Sequence, residues 1–195
     1  QLQQHVSYCL FGSKKHLMNE LFEKKNLPFY KFGDAIYLAK IETKYWIEYI
    51  CKRFENTGKH ISPELAEEIC RLVDNHSSYV QQLSWLLWIR TINTATTEQL
   101  SYALEDLLDQ NNILFQSETE NLSAYQMNFL KAIVDGIHTK FSSKEVISKY
   151  NLGTSANIVR LKNALLQKEL IETNGKEIVL ADPVFGVWFK KEMLY

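Results

Sequence analysis

Four cations, Arg160, Lys162, Lys168 and Lys176, sit on and just beyond a stretch of helical period, the pattern by which a helix offers charge to DNA phosphates or major-groove edges. A solvated helix face uses the same residues, and local charge does not decide between the two. From residue 117 to 195 there are ten Lys or Arg against nine Asp or Glu, and Glu172 and Glu177 flank Lys176. Four phosphate contacts would give a salt slope of roughly −3.6 by counterion release, which is modest. Whole-chain net charge is −1, so no global positive field draws the protein to nucleic acid or an anionic membrane.

Other chemistry is thinner still. Thr57-Gly58-Lys59-His60 has a Gly-Lys pair without the upstream glycine or the metal-binding hydroxyl of a phosphate loop. Gly12-Ser13 lacks the flanks of a nucleophile elbow. His5, His16, His60, His76 and His138 are scattered with no ligand spacing, so no metal site and no catalytic set is expected. Cys9, Cys51 and Cys70 form no C-x-x-C and read as core-filling thiols in a reducing cytoplasm. Trp46, Trp85, Trp88 and Trp188 read as core rather than ligand-stacking groups. No apolar run approaches the roughly 20 residues that cross a bilayer, so no membrane partner is expected.

The cations must be positioned by residues 142–189. Ser142 and Ser143 open a short helix with Val146, Ile147 and Tyr150 on one face, and Asn151-Leu152-Gly153 turns the chain. Thr154 or Ser155 caps a longer helix on which Ile158, Leu161, Leu165 and Leu166 are buried while Arg160 and Lys162 are exposed. Two short strands, residues 170–172 and 177–180, flank a turn in which Asn174-Gly175 supplies positive φ angles. This is a helix-turn-helix with a wing.

Upstream, residues 5–11 and 35–38 read as apolar strands with a short helix between them, carried by Leu17, Met18, Leu21 and Phe22. A buried parallel strand needs neighbours, so residues 1–40 read as the end of a larger sheet domain cut from the strands that precede Gln1. From Ile41 the period is helical. Tyr45, Trp46, Tyr49, Ile50 and Phe54 form one stripe; Ser62-Pro63-Glu64 opens a second helix; residues 79–90 make a third; Thr96 or Thr97 begins a fourth through Leu108. The polar stretch 116–121 reads as a break before a helix carrying Tyr125, Phe129, Leu130 and Ile133.

In that order, Tyr8-Cys9-Leu10-Phe11-Gly12-Ser13, Leu27-Pro28-Phe29-Tyr30-Lys31-Phe32-Gly33-Asp34, Asn75-His76-Ser77-Ser78-Tyr79-Val80-Gln81 and Asp182-Pro183-x-Phe185-x-x-Trp188 resemble the C-terminal half of an archaeal-type AAA+-like P-loop ATPase of the STAND lineage. The resemblance implies a mainly α chain: remnant of an α/β P-loop core (1–40), helical lid bundle (41–116) and winged helix-turn-helix domain (117–195). It implies ATP or ADP with Mg in the full-length protein, none for this chain alone, because the Walker segments would lie upstream. Ser13 and Lys14 match the sensor 1 position facing the terminal phosphate. Asn75, His76 and Ser77 match the lid turn that packs on adenine, although Ser77 replaces the usual proline and loses its fixed φ; an ordinary turn capped by Asn75 or Ser77 is the alternative. The implied partners are an upstream nucleotide-binding core and DNA or a protein at the winged helix. The unpaired strand also invites a second copy through residues 5–11 and 35–38. The expected function is a nucleotide-driven switch; the alternative is a non-enzymatic winged-helix DNA-binding regulator with a helical partner-binding domain.

Overall fold

A computed structural model describes residues 7–12, 18, 21–31 and 33–194, and the chain divides into two compact units, Gln1–Ala39 and Lys40–Tyr195. In the first, residues 21–23 are helical, the Phe22 and Phe29 rings lie 6.1 Å apart, and the Lys31 amide donates to the Phe22 carbonyl. The expected strands are not formed in its described residues. His5 and Val6 lie outside them, and residues 7–11 and 35–38 are in no ladder. Phe11 is 92% exposed and Leu38 93%. An extended apolar segment becomes a strand only when a neighbour takes its backbone groups, and no ladder includes these segments among the described residues. Cys9, expected in a core, is exposed as well.

The second unit is built from capped helices. Helices α1 (Thr43–Glu55), α2 (Pro63–Leu72), α3 (Ser77–Arg90) and α4 (Thr97–Glu120) form the bundle, with α1 against α2, α2 against α3 and α3 against α4. Ser62 Oγ accepts from the Leu65 amide ahead of Pro63, and Thr96 with Gln99 closes a reciprocal capping box. The Gly-Lys pair of residues 58–59 is structural. Lys59 Nζ lies 3.9 Å from the Trp88 ring centre and 2.6 Å from the Trp88 carbonyl, while His60 bridges to residues 93–95. Trp46 and Trp188 are core; Trp88 is half-buried under Lys59, and Trp85 is exposed, contrary to the core expectation. Cys70 is buried, which pushes its thiol up to about 11 and leaves it inert.

Where the polar run 116–121 predicts a break, α4 continues to Glu120. Its buried side explains this: Leu108, Phe115 and Thr119 lie seven and eleven residues apart on one stripe, and Thr119 Oγ1 bonds back to the Phe115 carbonyl. Residues 116 and 117, the expected domain border, therefore lie inside one helix.

After α4 come α5 (Ala124–Val134), α6 (Lys144–Tyr150), α7 (Ser155–Gln167), β1 (Ile171–Asn174), β2 (Glu177–Leu180) and α8 (Pro183–Leu194). Ser143 caps α6 and Thr154 caps α7, as their spacing predicts, and Asn151 and Gly153 carry the positive φ angles of the turn between them. Ile158, Leu161 and Leu165 are buried, Leu166 only partly. The hairpin turns one residue later than expected. Asn174 pairs with Glu177, so Gly175-Lys176 is the two-residue loop, and only Gly175 has positive φ, which is the type II′ arrangement. Residue 138 extends the wing, its carbonyl accepting from the Ile178 amide. Asp182 Oδ1 then accepts from the Val184 and Phe185 amides and starts α8, whose Gly186 lies so close to Leu180 that a Cβ would come within 2.7 Å of Leu180 Cδ1.

Candidate functional site

The turn between α2 and α3 is the most unusual backbone of the second unit. Asp74 and Asn75, φ 47° and 53°, are consecutive non-glycine residues in the left-handed region, a conformation that costs about 1 kcal/mol each and is tolerated best by these two side chains. It is held by the start of α1 and the residues just before it: Asn75 Nδ2 donates to Thr43 Oγ1 at 3.0 Å, and Lys40 Nζ meets Asp74 at 2.6 Å. Neither Asn75 nor Ser77 caps α3. The cap position is His76, which makes no side-chain capping bond. Its ring instead packs on Tyr79, centres 4.7 Å apart, and its Nδ1 is buried without a hydrogen-bond partner. Trp46 Nε1 is a second such atom.

One turn further along α3, Tyr79 leaves the bundle. Its hydroxyl donates to Asp182 Oδ2 at 2.6 Å, so the carboxylate that caps α8 also holds α3. Burial, then the Asp182 bond, push the Tyr79 hydroxyl far above the phenol range. Glu118 of α4 lies close enough to feel the same carboxylate; burial first and the Asp182 charge second raise its pKa. Beside this polar joint is an aromatic one. Phe115 sits edge-on to Phe185 at 5.4 Å and 5.6 Å from Trp188, whose Nε1 donates to Asn112 Oδ1 at 2.8 Å.

Beside the turn lies an open depression of about 420 Å³ lined by Glu64, Glu67, Glu68, Asp74, Arg71 and Asn75 among others. Arg71 is committed to Glu68, whose carboxyl its hydrogen bond holds below the usual range. A carboxylate lining repels phosphates, so these residues do not fit a triphosphate. Ser13 and Lys14, expected at the terminal phosphate, lie outside the described residues. Of the expected base-facing group, Asn75, His76 and Ser77 share the turn, but Asn75 is committed to Thr43 and Ser77 is exposed. No cluster of metal-ligating side chains occurs among the described residues.

The four expected nucleic-acid cations do not converge on one face. Arg160 is exposed on α7 beside Val159, which is 60% exposed, whereas Lys162, two residues on and about 200° around the helix, is half-buried. Lys168 is exposed at the C-cap of α7 and Lys176 at the hairpin tip. The exposed strip of α7 carries Val159, Arg160, Asn163 and Gln167, a single cation among neutral groups. Asn112 and Glu118 carry no signal in the sequence, and Tyr79 and Asp182, both within motifs that carry the resemblance, give no sign there of bonding to each other. Asp182-Pro183 also has the cap and first-position proline of a helix start.

Residues 113–191 match the model of a family described as a probable winged helix domain. No curated protein matches the chain. Among solved structures, the Walker-type ATPase PABY2304 of Pyrococcus abyssi is similar, with a TM-score of 0.63 and 18% identity over 89% of this chain and 50% of that one. The chain thus spans half the length of that structure and shares its fold over the matched part. The expected mainly helical architecture with a winged helix is present, and the matched domain begins inside α4. No helix among the described residues is long and apolar enough to cross a membrane.

Proposed function

We propose that this chain is the lid and winged-helix portion of a nucleotide-dependent switch ATPase of the STAND lineage, in which the lid turn reads nucleotide state and the winged helix carries the response to DNA or a protein. The observation that carries this reading is the sharing of α4. One uninterrupted helix supplies Leu100, Ala103 and Leu107 to the bundle core and Phe115 to the winged-helix core. A rigid rod common to both cores turns any tilt of the bundle into displacement of the winged helix. The fold shared with a Walker-type ATPase supports the same reading.

ATP or ADP with Mg would be held by groups outside these residues, in an upstream core whose strands also cover residues 7–12 and 35–38; the bound nucleotide supplies the phosphate chemistry. Residues of this chain orient and transmit. With one free cation on the outer strip of α7, the winged helix is better suited to docking protein than to gripping a phosphate backbone.

Calorimetric titration of residues 1–195 with Mg-ATP should show neither micromolar binding nor turnover. In a protein extended upstream through a Gly-rich Lys-Ser/Thr loop, ATP and ADP should give different amide exchange in α8. Micromolar affinity in the chain alone, or identical exchange with both nucleotides in the extended protein, overturns the reading.

A further inference from the structure

The turn at residues 74–77 and the start of α8 are linked through the bond between Tyr79 and Asp182, residues 103 apart in the sequence. On one side are two left-handed non-glycine residues and a buried His76 Nδ1 with no partner, both features that a second arrangement of the turn would relieve. On the other side, Asp182 divides its two oxygens. Oδ1 takes the Val184 and Phe185 amides and Oδ2 takes the Tyr79 hydroxyl, so the carboxylate cannot turn toward one without loosening the other. Among the described residues this is the polar side-chain link between α3 and α8. The stack of His76 on Tyr79 puts the turn itself in contact with that link.

We propose that His76, Tyr79 and Asp182 form a mechanical joint that makes the strained turn and the first turn of α8 open and close as one. This deepens the switch reading for the same turn and rests on it only for what drives the motion. A tilt of the first turn of α3 withdraws the Tyr79 hydroxyl, frees Asp182 to reorient, and weakens the cap of α8. Loss of the cap runs the chain backwards and releases the turn.

The test is amide exchange followed by NMR on this chain, without nucleotide. Its readouts are Val80, whose amide donates to the His76 carbonyl, and Val184 with Phe185. Tyr79→Phe keeps the ring and removes the bond, and should speed exchange at all three amides by about tenfold, the size of effect expected for a hydrogen bond to a charged group. Asp182→Asn keeps a capping side chain and should speed Val80 as well as Val184 and Phe185. Asp74→Gly touches neither Tyr79 nor Asp182; it relieves one strained residue and gives up the solvent-exposed Lys40 pair, which contributes little, and should slow all three together. Acceleration confined to Val80 in Tyr79→Phe, or to α8 in Asp182→Asn, overturns the joint, as does a change at Val80 alone in Asp74→Gly. Because no nucleotide is present, that failure leaves the switch reading standing. Conversely, nucleotide-insensitive exchange in the extended protein overturns the switch and leaves the joint.

Discussion

The two ends of α4 are buried in different ways. Its first half enters the bundle with small and aliphatic side chains, Leu100, Ala103 and Leu107, and its polar contacts there, the Arg90–Asp106 pair and the Gln99 bond to the Arg90 carbonyl, lie at the surface. Its second half meets α8 through Phe115, Phe185 and Trp188, with Asn112 satisfying the indole and Asp182 held by Tyr79. Aliphatic packing is non-directional, and a turn of the helix can be accommodated by repacking. Aromatic edges and hydrogen bonds fix angle and register. The helix is thus adaptable where it meets the bundle and locked where it meets the winged helix, as the proposed transmitting rod requires.

The hardest way to break this contrast is Trp188→Ala, which empties the locked seam and orphans Asn112. Urea unfolding should show a loss of about 3 to 5 kcal/mol. Leu107→Ala on the adaptable seam should cost about 2 to 5 kcal/mol, toward the lower end if the bundle repacks. Both variants should unfold in one transition followed by fluorescence and circular dichroism. Separate transitions for the two would mean that the halves of α4 are independent. Asn112→Leu leaves the Trp188 Nε1 hydrogen buried without an acceptor and should cost about 1 to 3 kcal/mol, with α8 amides exchanging faster.

The mildest probe is Glu118→Gln. The folded-state pKa of Glu118 is raised, so its protonated form is favoured by folding. The wild type is therefore handicapped above that pKa and recovers as pH falls below the ordinary carboxylate value of about 4.3. Glu118→Gln should raise the melting temperature at pH 8, and the gap should close by pH 4. A variant that melts lower at pH 8 would mean that the carboxylate is a needed partner.

The winged helix was legible because its signals are local. Ser143 and Thr154 are caps, Asn151 and Gly153 are turn residues, and the buried side of α7 follows the helical period. The hairpin was misplaced by one residue because Asn174-Gly175 and Gly175-Lys176 are both good turn pairs, and register against β2 decides between them. The length of α4 was hidden because residues 116–121 are polar on the outside, and only the partner α8 reveals that Phe115 and Thr119 face inward. The turn at residues 74–77 is legible, but not what holds it, since that chemistry comes from Thr43 at the start of α1 and Lys40 just before it. The bond between Tyr79 and Asp182 is out of reach of the sequence altogether: both residues stand in motifs, but nothing in either neighbourhood announces a contact across 103 residues.

A chain made from its N-terminus meets the locked seam last. Asn112 and Trp188 are 76 residues apart, so at 5 to 20 residues per second about 4 to 15 s pass between their synthesis. For that interval the bundle can fold while the far end of α4 shows Phe115 to water and to other nascent chains. The aromatic patch that later fixes the winged helix is, on the ribosome, an adhesive surface, and the most dangerous moment in the life of this protein falls just before α8 arrives to cover it.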